Sequence, residues 1–356
     1  MYDCFGLVLM VTHACNLRCR YCYTGAKWPR LMPVPVGLAA IDRAARSVRL
    51  GGRLEIGFFG GEPLLEPDLV RQFMVHARRQ ANARQLQLRF QLTTNGTITD
   101  TFAWSVLNMP DVDVSVSHDG LPEVHDRYRR SADGAGTSSR VLATIHRLLA
   151  AGRDFRVVMV VRPDTVCHLA AGIRFLREQG VRHVVPALDL WATWSPADAG
   201  QLRAVLADCA ELWLSGLPGC SVAWFDEKAG QLAGVPVEGT ARCGFGDGTL
   251  AVAPSGNLYP CERLIGDDGS GNAMRLPGHA LDGAEFAPLP PPPRTGGPCA
   301  ECRIQSQCST YCRCGNYVRT GDINRPDGLL CLLDRALVRE TMRVLRTLEK
   351  PDMVCA

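Results

Sequence analysis

Residues 5–214 alternate short apolar runs with amphipathic stretches, and this alternation constrains the fold more than any other feature. The apolar runs have the length and composition of buried parallel strands, and the stretches between them carry helical apolar spacing. The predicted strands are Phe5–Thr12, Leu54–Phe59, Leu86–Thr94, Val112–Ser117, Phe155–Val161 and His183–Leu188. The predicted helices are Val36–Leu50, Asp68–Ala83, Thr101–Leu107, Ser138–Ala151, Val166–Gln179 and Pro196–Leu214. Six strand–helix units predict an α/β fold, a partial (β/α)6 TIM-like barrel, whose ligands collect at the carboxyl ends of the strands.

The chain changes character after about Gly216, where Gly, Pro and Cys become frequent and regular periodicity fades. A segment with so little apolar periodicity builds little core by itself, so crosslinks such as metal clusters are expected there. Helical spacing returns over Leu329–Leu348. We therefore predict a barrel over residues 1–216, a Cys-rich domain over 217–335, and a helix and tail over 336–356.

The chain has 16 cysteines among 356 residues, which is unusual for a chain with no signal peptide and no long apolar run. These absences predict a cytoplasmic protein without a membrane partner, and cysteines in the cytoplasm indicate metal ligands rather than disulfides. A net charge of +3 is too small to indicate binding to nucleic acid. Three cysteines fall within Cys15–Cys22 and eight between Cys243 and Cys331.

The first group, Cys15, Cys19 and Cys22, follows the first predicted strand directly, with an aromatic residue, Tyr21, before its last member. Three thiolates on one loop do not complete a tetrahedral zinc site, but they can hold three irons of a [4Fe–4S] cluster. The fourth iron is then open to a substrate or cofactor. This spacing predicts a reactive cluster rather than a structural one.

Polar turns end the second, third and fourth predicted strands. They are Phe58–Pro63, Thr93–Gly96 and Ser115–Gly120. Paired glycines let the backbone approach a ligand closely, and Glu62 can accept a hydrogen bond from an ammonium group. For Asn95 and Ser117, cofactor contact and simple turn formation are both open, whereas Asp119 is expected to be a structural turn residue.

Together, the cysteine loop and these turns resemble the radical S-adenosylmethionine superfamily, whose members also carry a segment similar to His125–Arg129. Here His118 replaces the usual leucine of the fourth turn. The resemblance implies that a reduced [4Fe–4S] cluster splits S-adenosylmethionine into methionine and a 5′-deoxyadenosyl radical, which abstracts hydrogen from the substrate. The implied cofactor-binding residues are Tyr21, Gly60, Gly61, Glu62, Pro63, Asn95 and Ser117.

The later cysteines resemble the SPASM extension of that superfamily, which binds two auxiliary [4Fe–4S] clusters. The resemblance assigns Cys299, Cys302, Cys308 and Cys331 to a distal cluster, and Cys243, Cys261 and Cys312 to a proximal one. Val237 stands where relatives have a fourth proximal ligand, so Cys220, Cys314 or an open iron completes that cluster. Zinc is the alternative metal for the C-x2-C pair.

Glu262 directly follows Cys261, where sulfatase-maturing relatives have an aspartate that acts as a base, so Glu262 is the candidate base, with a surface carboxylate as the alternative. The resemblance implies that the enzyme crosslinks a ribosomally made precursor peptide by a thioether or carbon–carbon (cyclophane-type) bond. A sulfatase-type maturase, a small-molecule radical dehydrogenase and a non-catalytic iron–sulfur electron carrier are the alternatives. About 14 residues precede Cys15, too few for a peptide-recognition domain there, so any leader recognition is expected to use a separate protein or another surface of the chain. A flavodoxin- or ferredoxin-type donor would supply electrons.

Overall fold

A computed structural model describes residues 1–235, 244–286, 299, 301–308 and 312–348 of the chain. The chain forms two compact units. Unit 1 comprises Met1–Ser117, Asp126–Phe155 and Glu238–Pro293, and unit 2 comprises His118–His125, Arg156–Val237 and Arg294–Ala356. Both units draw on residues from either side of the predicted boundary at residue 216, so the three-part division stays a prediction.

Strands and helices alternate along most of the chain. The strands are β1 (Tyr2–Thr12), β2 (Val48–Gly60), β3 (Gln87–Thr94), β4 (Val112–Ser117), β5 (Phe155–Val161), β6 (His183–Leu188), β7 (Ser221–Val222), β8 (Thr249–Val252), β9 (Asn257–Tyr259) and β10 (Leu276–His279). The helices are α1 (Val34–Ser47), α2 (Pro67–Arg84), α3 (Thr101–Leu107), α4 (Pro122–Tyr128), α5 (Ser138–Ala150), α6 (Leu169–Glu178), α7 (Pro196–Gly216), α8 (Ala223–Leu232), α9 (Arg313–Thr320) and α10 (Gly328–Leu348). The predicted α/β class and the six predicted strands are confirmed, as is the C-terminal helix.

In unit 1 the strands lie in the order β10-β9-β8-β1-β2-β3-β4. Strand β1 is parallel to β2 on one side and to β8 on the other, whereas β9 and β10 are antiparallel. Burial on both faces explains why β1 reads as a continuous apolar run, since Phe5, Leu7, Leu9, Met10 and Val11 are all fully buried. In unit 2, β5, β6 and β7 are parallel neighbours.

Two predicted features differ from the structure. The first predicted helix extends to Leu50, but α1 ends at Ser47 and Val48 begins β2. A short apolar run such as the one after Ser47 fits both helical and strand spacing, so pattern alone does not decide it. The sequence analysis also did not predict β7, β8, β9 and β10, which have only two, four, three and four residues.

The segment after β10 is tied to α1 within unit 1. The guanidinium of Arg43 lies 4.3 Å from the ring centroid of Phe286 and donates to the carbonyls of His279 and Ala284 at 2.5 Å each. The Ser47 hydroxyl accepts from the Phe286 amide at 2.8 Å. Residues 276–286 are therefore part of the unit that contains β1. Across the described part of the chain, no helix has both the length and the apolar surface that crossing a bilayer requires.

Candidate active site

The cysteine loop (Cys15–Cys22) and the glycine turn (Gly60–Glu62) lie side by side at the carboxyl ends of β1 and β2. The Gly61 amide donates to the Thr12 carbonyl at 2.8 Å. The Glu62 amide donates to the Ala14 carbonyl at 2.9 Å, one residue before the first thiol. Backbone hydrogen bonds therefore hold together two motifs that are more than 40 residues apart in the sequence.

Only glycine fits at the two turn positions. Gly60 has a φ of +152°, and a Cβ there would lie 2.4 Å from the Thr12 carbonyl oxygen. A Cβ on Gly61 would lie 2.1 Å from the Ala14 carbonyl oxygen. Because both obstacles are backbone atoms, neither can rotate aside, and the close approach of the two motifs depends on the missing side chains.

The carboxylate of Glu62 is fully buried and accepts three hydrogen bonds from the protein. The donors are the Leu64 amide at 3.0 Å, the Thr94 hydroxyl at 2.8 Å and the Asn95 amide at 2.6 Å. Burial raises its pKa from 4.5 to about 7, and these hydrogen bonds oppose the rise. An ionised carboxylate has about four acceptor positions, so one is left for a ligand such as an ammonium group.

Asn95 connects the end of β3 to the cysteine loop. Its side-chain amide donates to Asn16 at 2.8 Å and lies 3.8 Å from the sulfur of Cys15. Its carbonyl oxygen accepts from the Thr97 amide at 2.9 Å and hydroxyl at 2.7 Å. The structure thus brings Asn95 next to Cys15, where its side chain also shapes the turn.

Hydrogen-bond donors face the thiols of Cys15 and Cys22, and all three loop cysteines are partly buried. The Leu17 amide lies 3.4 Å from the sulfur of Cys15, whose pKa burial raises. At Cys22 burial also opposes ionisation, but the Lys27 ammonium, 3.0 Å from the sulfur, and the Thr24 hydroxyl at 3.2 Å outweigh it and lower the pKa. N–H donors and a cation beside sulfur suit thiolate ligands.

Among the residues with described positions, no three His, Cys, Asp or Glu side chains converge as ligands of a single metal ion. Thiolates around a [4Fe–4S] cube bind different irons and are spread over its corners. The cysteine loop has three thiols as ligands, with amide and ammonium groups that donate hydrogen bonds to sulfur. These groups are of the types that bind such a cluster.

A second segment supports the cysteine loop from the other side. The amides of Arg18 and Arg20 donate to the carbonyls of Arg130 and Tyr128 at 2.7 and 3.1 Å. The Tyr21 ring lies 5.9 Å from the Tyr128 ring and 5.2 Å from the guanidinium carbon of Arg129. Tyr21 and the end of the His125–Arg129 segment are therefore brought together, which the sequence did not reveal.

Of the two histidines that the sequence singled out, His118 lies in the turn after β4 and His125 lies in α4. Ser117, the last residue of β4, is buried in unit 1. Within unit 2, His118 is fully buried with its ring 4.2 Å from that of His125, so the residue in place of leucine serves packing. Asp119 accepts from the Val160 amide at 3.0 Å and is a turn residue, as expected.

The segment that follows β9 places Glu262 next to residues that follow the cysteine loop. Glu262 begins a short 3-10 turn, and the thiol of Cys261 donates to its carboxylate at 3.5 Å. Burial raises the pKa of Tyr23, and the charges of Arg263 and Glu262 act on its hydroxyl. Cys261 and Glu262 are thus partly buried neighbours of Tyr23, and the role of Glu262 as a base stays a prediction.

Four cysteines predicted for the distal cluster are in unit 2. The Cys302 amide donates to the Cys299 carbonyl at 3.2 Å. Burial raises the pKa of Cys331, and the charges of Cys308 and Cys299 raise it further, which places these thiols close together. The predicted grouping of these residues is compatible with this arrangement, and their role as ligands stays a prediction.

The proximal cysteines are divided between the units. Cys261 lies in unit 1 and Cys312 in unit 2, at the N-terminus of α9. Cys243, like Val237, lies outside the described residues. The buried thiol of Cys314 lies 3.3 Å from the sulfur of Cys312, whereas the Cys220 amide closes the turn after α7 by donating to Gly216 at 2.8 Å.

Sequence reasoning missed two residues of the site. Lys27, five residues after the last loop cysteine, belongs to no spacing pattern that would have revealed it. Thr94 stands inside the Thr93–Gly96 turn, but its bond to Glu62 joins residues 32 positions apart. Only the pairing of β2 with β3 brings those two strand ends together.

Comparison with known proteins identifies one domain of the chain. Residues 9–176 match the model of the Radical SAM superfamily, a span that includes the cysteine loop and the glycine turn. The cysteine-type anaerobic sulfatase-maturating enzyme of Clostridium novyi is 24% identical over 283 residues, 74% of each chain. The PqqA peptide cyclase of Gluconobacter oxydans is 26% identical over 271 residues, 72% of this chain and 69% of that protein.

A solved structure shares the fold. Native anSMEcpe with bound AdoMet and Cp18Cys peptide superposes with a TM-score of 0.77 at 20% identity, over 96% of this chain and 98% of that one. Residues 9–176 thus form a radical SAM domain, and the relatives and the shared fold agree with that assignment.

Proposed function

We propose that this chain is a radical SAM enzyme that removes hydrogen from a ribosomally made peptide and forms a thioether or carbon–carbon crosslink. The observation that carries this proposal is the pair of backbone hydrogen bonds from Gly61 and Glu62 to Thr12 and Ala14. These bonds bring the thiol loop and the glycine turn together into one site, which would hold a cluster and S-adenosylmethionine side by side. When bound, the two groups supply one-electron cleavage of the sulfonium and a 5′-deoxyadenosyl radical.

In this proposal the residues of the chain bind and orient the cluster and S-adenosylmethionine. Cys15, Cys19 and Cys22 hold the [4Fe–4S] cluster, and the backbone of the glycine turn and Pro63 receives the methionyl group of S-adenosylmethionine. The Glu62 carboxylate, which has one acceptor position left, would accept a hydrogen bond from the amino group. Tyr21, Asn95 and Ser117 complete the binding site by resemblance to the family.

We further propose that residues 217–335 hold two auxiliary [4Fe–4S] clusters, which accept an electron as the substrate radical is oxidised. Cys299, Cys302, Cys308 and Cys331 would hold one, and Cys243, Cys261 and Cys312 the other. A flavodoxin- or ferredoxin-type protein would reduce the N-terminal cluster. The proximity of Cys299, Cys308 and Cys331 supports the first assignment.

A peptide is the substrate class that the comparisons favour. Named relatives are a peptide cyclase and an enzyme that matures sulfatases, and a structure with the same fold is described with a bound peptide. A precursor peptide encoded beside this chain, with or without a separate recognition protein, is therefore the first substrate to test.

Formylglycine formation in a sulfatase is a second candidate, which the similarity to the cysteine-type anaerobic sulfatase-maturating enzyme supports. A carboxylate that accepts from the adjacent thiol at 3.5 Å can also accept a proton from a substrate radical during its oxidation. A crosslinking reaction needs such a base as well, so the chemical identity of the product distinguishes crosslinking from formylglycine formation.

Anaerobic incubation of the reconstituted enzyme with S-adenosylmethionine, dithionite and the peptide tests the proposal. We expect 5′-deoxyadenosine and a peptide that has lost two hydrogen atoms and does not react with hydrazide. A hydrazide-reactive product would instead indicate formylglycine. Turnover without 5′-deoxyadenosine would contradict the whole proposal. Cys19→Ala should abolish 5′-deoxyadenosine formation, whereas Cys167→Ala, which removes an exposed cysteine, should not.

Glu262→Gln tests the base. Glutamine keeps the size of the side chain but does not take up the proton, so we expect 5′-deoxyadenosine formation to continue while product falls about 100-fold, within the usual range for a general base. Equal losses of both products would show that Glu262 acts on the cofactor or the fold instead.

A further inference from the structure

Lys228, on α8 of unit 2, is a buried cation outside the site described above. Its side chain is 1% exposed. The ammonium lies 2.5 Å from one carboxylate oxygen of Asp334 on α10, and it donates to the Gln307 carbonyl at 2.8 Å and to the Gln231 side chain at 3.3 Å. Three oxygens therefore surround the three N–H donors of the ammonium group.

The other oxygen of the Asp334 carboxylate faces a cysteine. The thiol of Cys308 donates to it at 3.6 Å, and the side chain of Asp334 is 7% exposed. The charges of Cys308 and Cys299 both act on Cys331, so these three cysteines are neighbours. The buried pair Lys228–Asp334 is thus in direct contact with the group of cysteines proposed to hold the distal cluster.

Stabilisation of the folded protein does not readily explain why the Lys228–Asp334 ion pair is buried. Removing two charges from water costs more than their attraction commonly returns, and an apolar pair of similar size is often equally or more stable. Such a pair does, however, fix the local charge at one place, and buried charges are poorly screened by salt. The sulfur of Cys308, 3.6 Å from the Asp334 carboxylate, is the group on which that charge acts.

We propose that Lys228 and Asp334 are positioning residues that set the reduction potential of the cluster held by Cys299, Cys302, Cys308 and Cys331. This inference rests on the proposed function, which places a cluster there. An unpaired carboxylate beside Cys308 disfavours an added electron, and an unpaired ammonium favours it. The intact pair is neutral and holds the potential between these limits.

A redox titration of the reconstituted holoenzyme, followed by electron paramagnetic resonance, tests this. The distal signal is identified as the one lost in Cys331→Ala. We expect Asp334→Asn to raise its midpoint potential and Lys228→Met to lower it, each changing the reduced-to-oxidised ratio at fixed potential about tenfold, about 59 mV for one electron. The double variant should return to the wild-type value.

Asp334→Asn is the safer variant, because Lys228 keeps its contacts to Gln307 and Gln231 and stays solvated by the protein. Arg343→Met is the matched control: it removes a positive charge from the same helix, α10, at a side chain that is 43% exposed and screened by water. It should leave the distal potential unchanged. The signal of the N-terminal cluster should be unchanged in every variant.

Unchanged potentials in Asp334→Asn and Lys228→Met, with iron content intact, would overturn the inference and leave the proposed function standing. Shifts of both variants in the same direction would overturn it as well. Iron and sulfide for a single cluster in the wild-type enzyme would refute the auxiliary clusters themselves. The two failures are therefore distinguishable by metal analysis of the wild type alone.

Discussion

The buried carboxylate of Glu62 makes stability depend on pH in a way that one substitution can reveal. Its pKa rises from 4.5 to about 7 in the folded protein because burial disfavours the ionised form. The folded state therefore holds the proton more tightly than the unfolded state. The resulting stability is present below about pH 4.5 and is lost as the pH rises towards 7.

The size of this effect follows from the two pKa values. At about 1.4 kcal/mol per unit, the rise from 4.5 to about 7 corresponds to about 3 kcal/mol in the free energy of unfolding, most of it lost between about pH 4.5 and pH 7. Glu62→Gln has no titrating group at this place. Across that interval the free energy of unfolding of the wild type should therefore fall by about 3 kcal/mol relative to that of the variant.

Urea denaturation of the cluster-free protein under reducing conditions, followed by tryptophan fluorescence at several pH values, measures this difference. All other titrations occur in both proteins and cancel. Glu66→Gln is the matched control, since the side chain of Glu66 makes no capping hydrogen bond to α2. A difference in the free energy of unfolding between wild type and Glu62→Gln that stays constant from about pH 4.5 to pH 7 would refute the reasoning.

Two further substitutions test the site and its cysteines. Gly61→Ala should abolish S-adenosylmethionine binding in calorimetry, because the new methyl group would lie 2.1 Å from the Ala14 carbonyl oxygen. Gly57→Ala on the same strand, whose nearest neighbour would be a side-chain atom at 3.5 Å, should bind normally, and equal binding by both would contradict the steric argument. Cys314→Ser should keep the iron content of the wild type, since a hydroxyl can replace the thiol as hydrogen-bond partner of Cys312. Loss of iron in that variant would make Cys314 a ligand.

Much of unit 1 could be predicted because its central strands are buried on both faces. Such strands need continuous apolar runs, and the polar turns that end them mark the edge where ligands bind. The cysteine loop was recognisable because all of its thiols fall within eight residues, Cys15–Cys22. Local patterns thus located both halves of the site.

What the sequence did not show depends on contacts between distant residues. The carboxylate of Glu62 was expected to face a ligand, yet Thr94 and the Asn95 amide occupy much of it. Such bonds depend on strand register, which a single sequence does not encode locally. The strands of residues 249–279 were too short to show a period, and their place beside β1 depends on the pairing itself.

The pairing of β8 with β1 limits how such enzymes can be cut and recombined. Gly6–Leu9 pair with Thr249–Val252, so a fragment that stops near residue 216 would expose the backbone edge of its own central strand. The part of the chain after residue 216 therefore cannot be removed without leaving β1 unpaired on one side. Chimaeras with other family members should keep β1, β8 and the Arg43 contacts from one parent, and their boundaries should fall after Phe286.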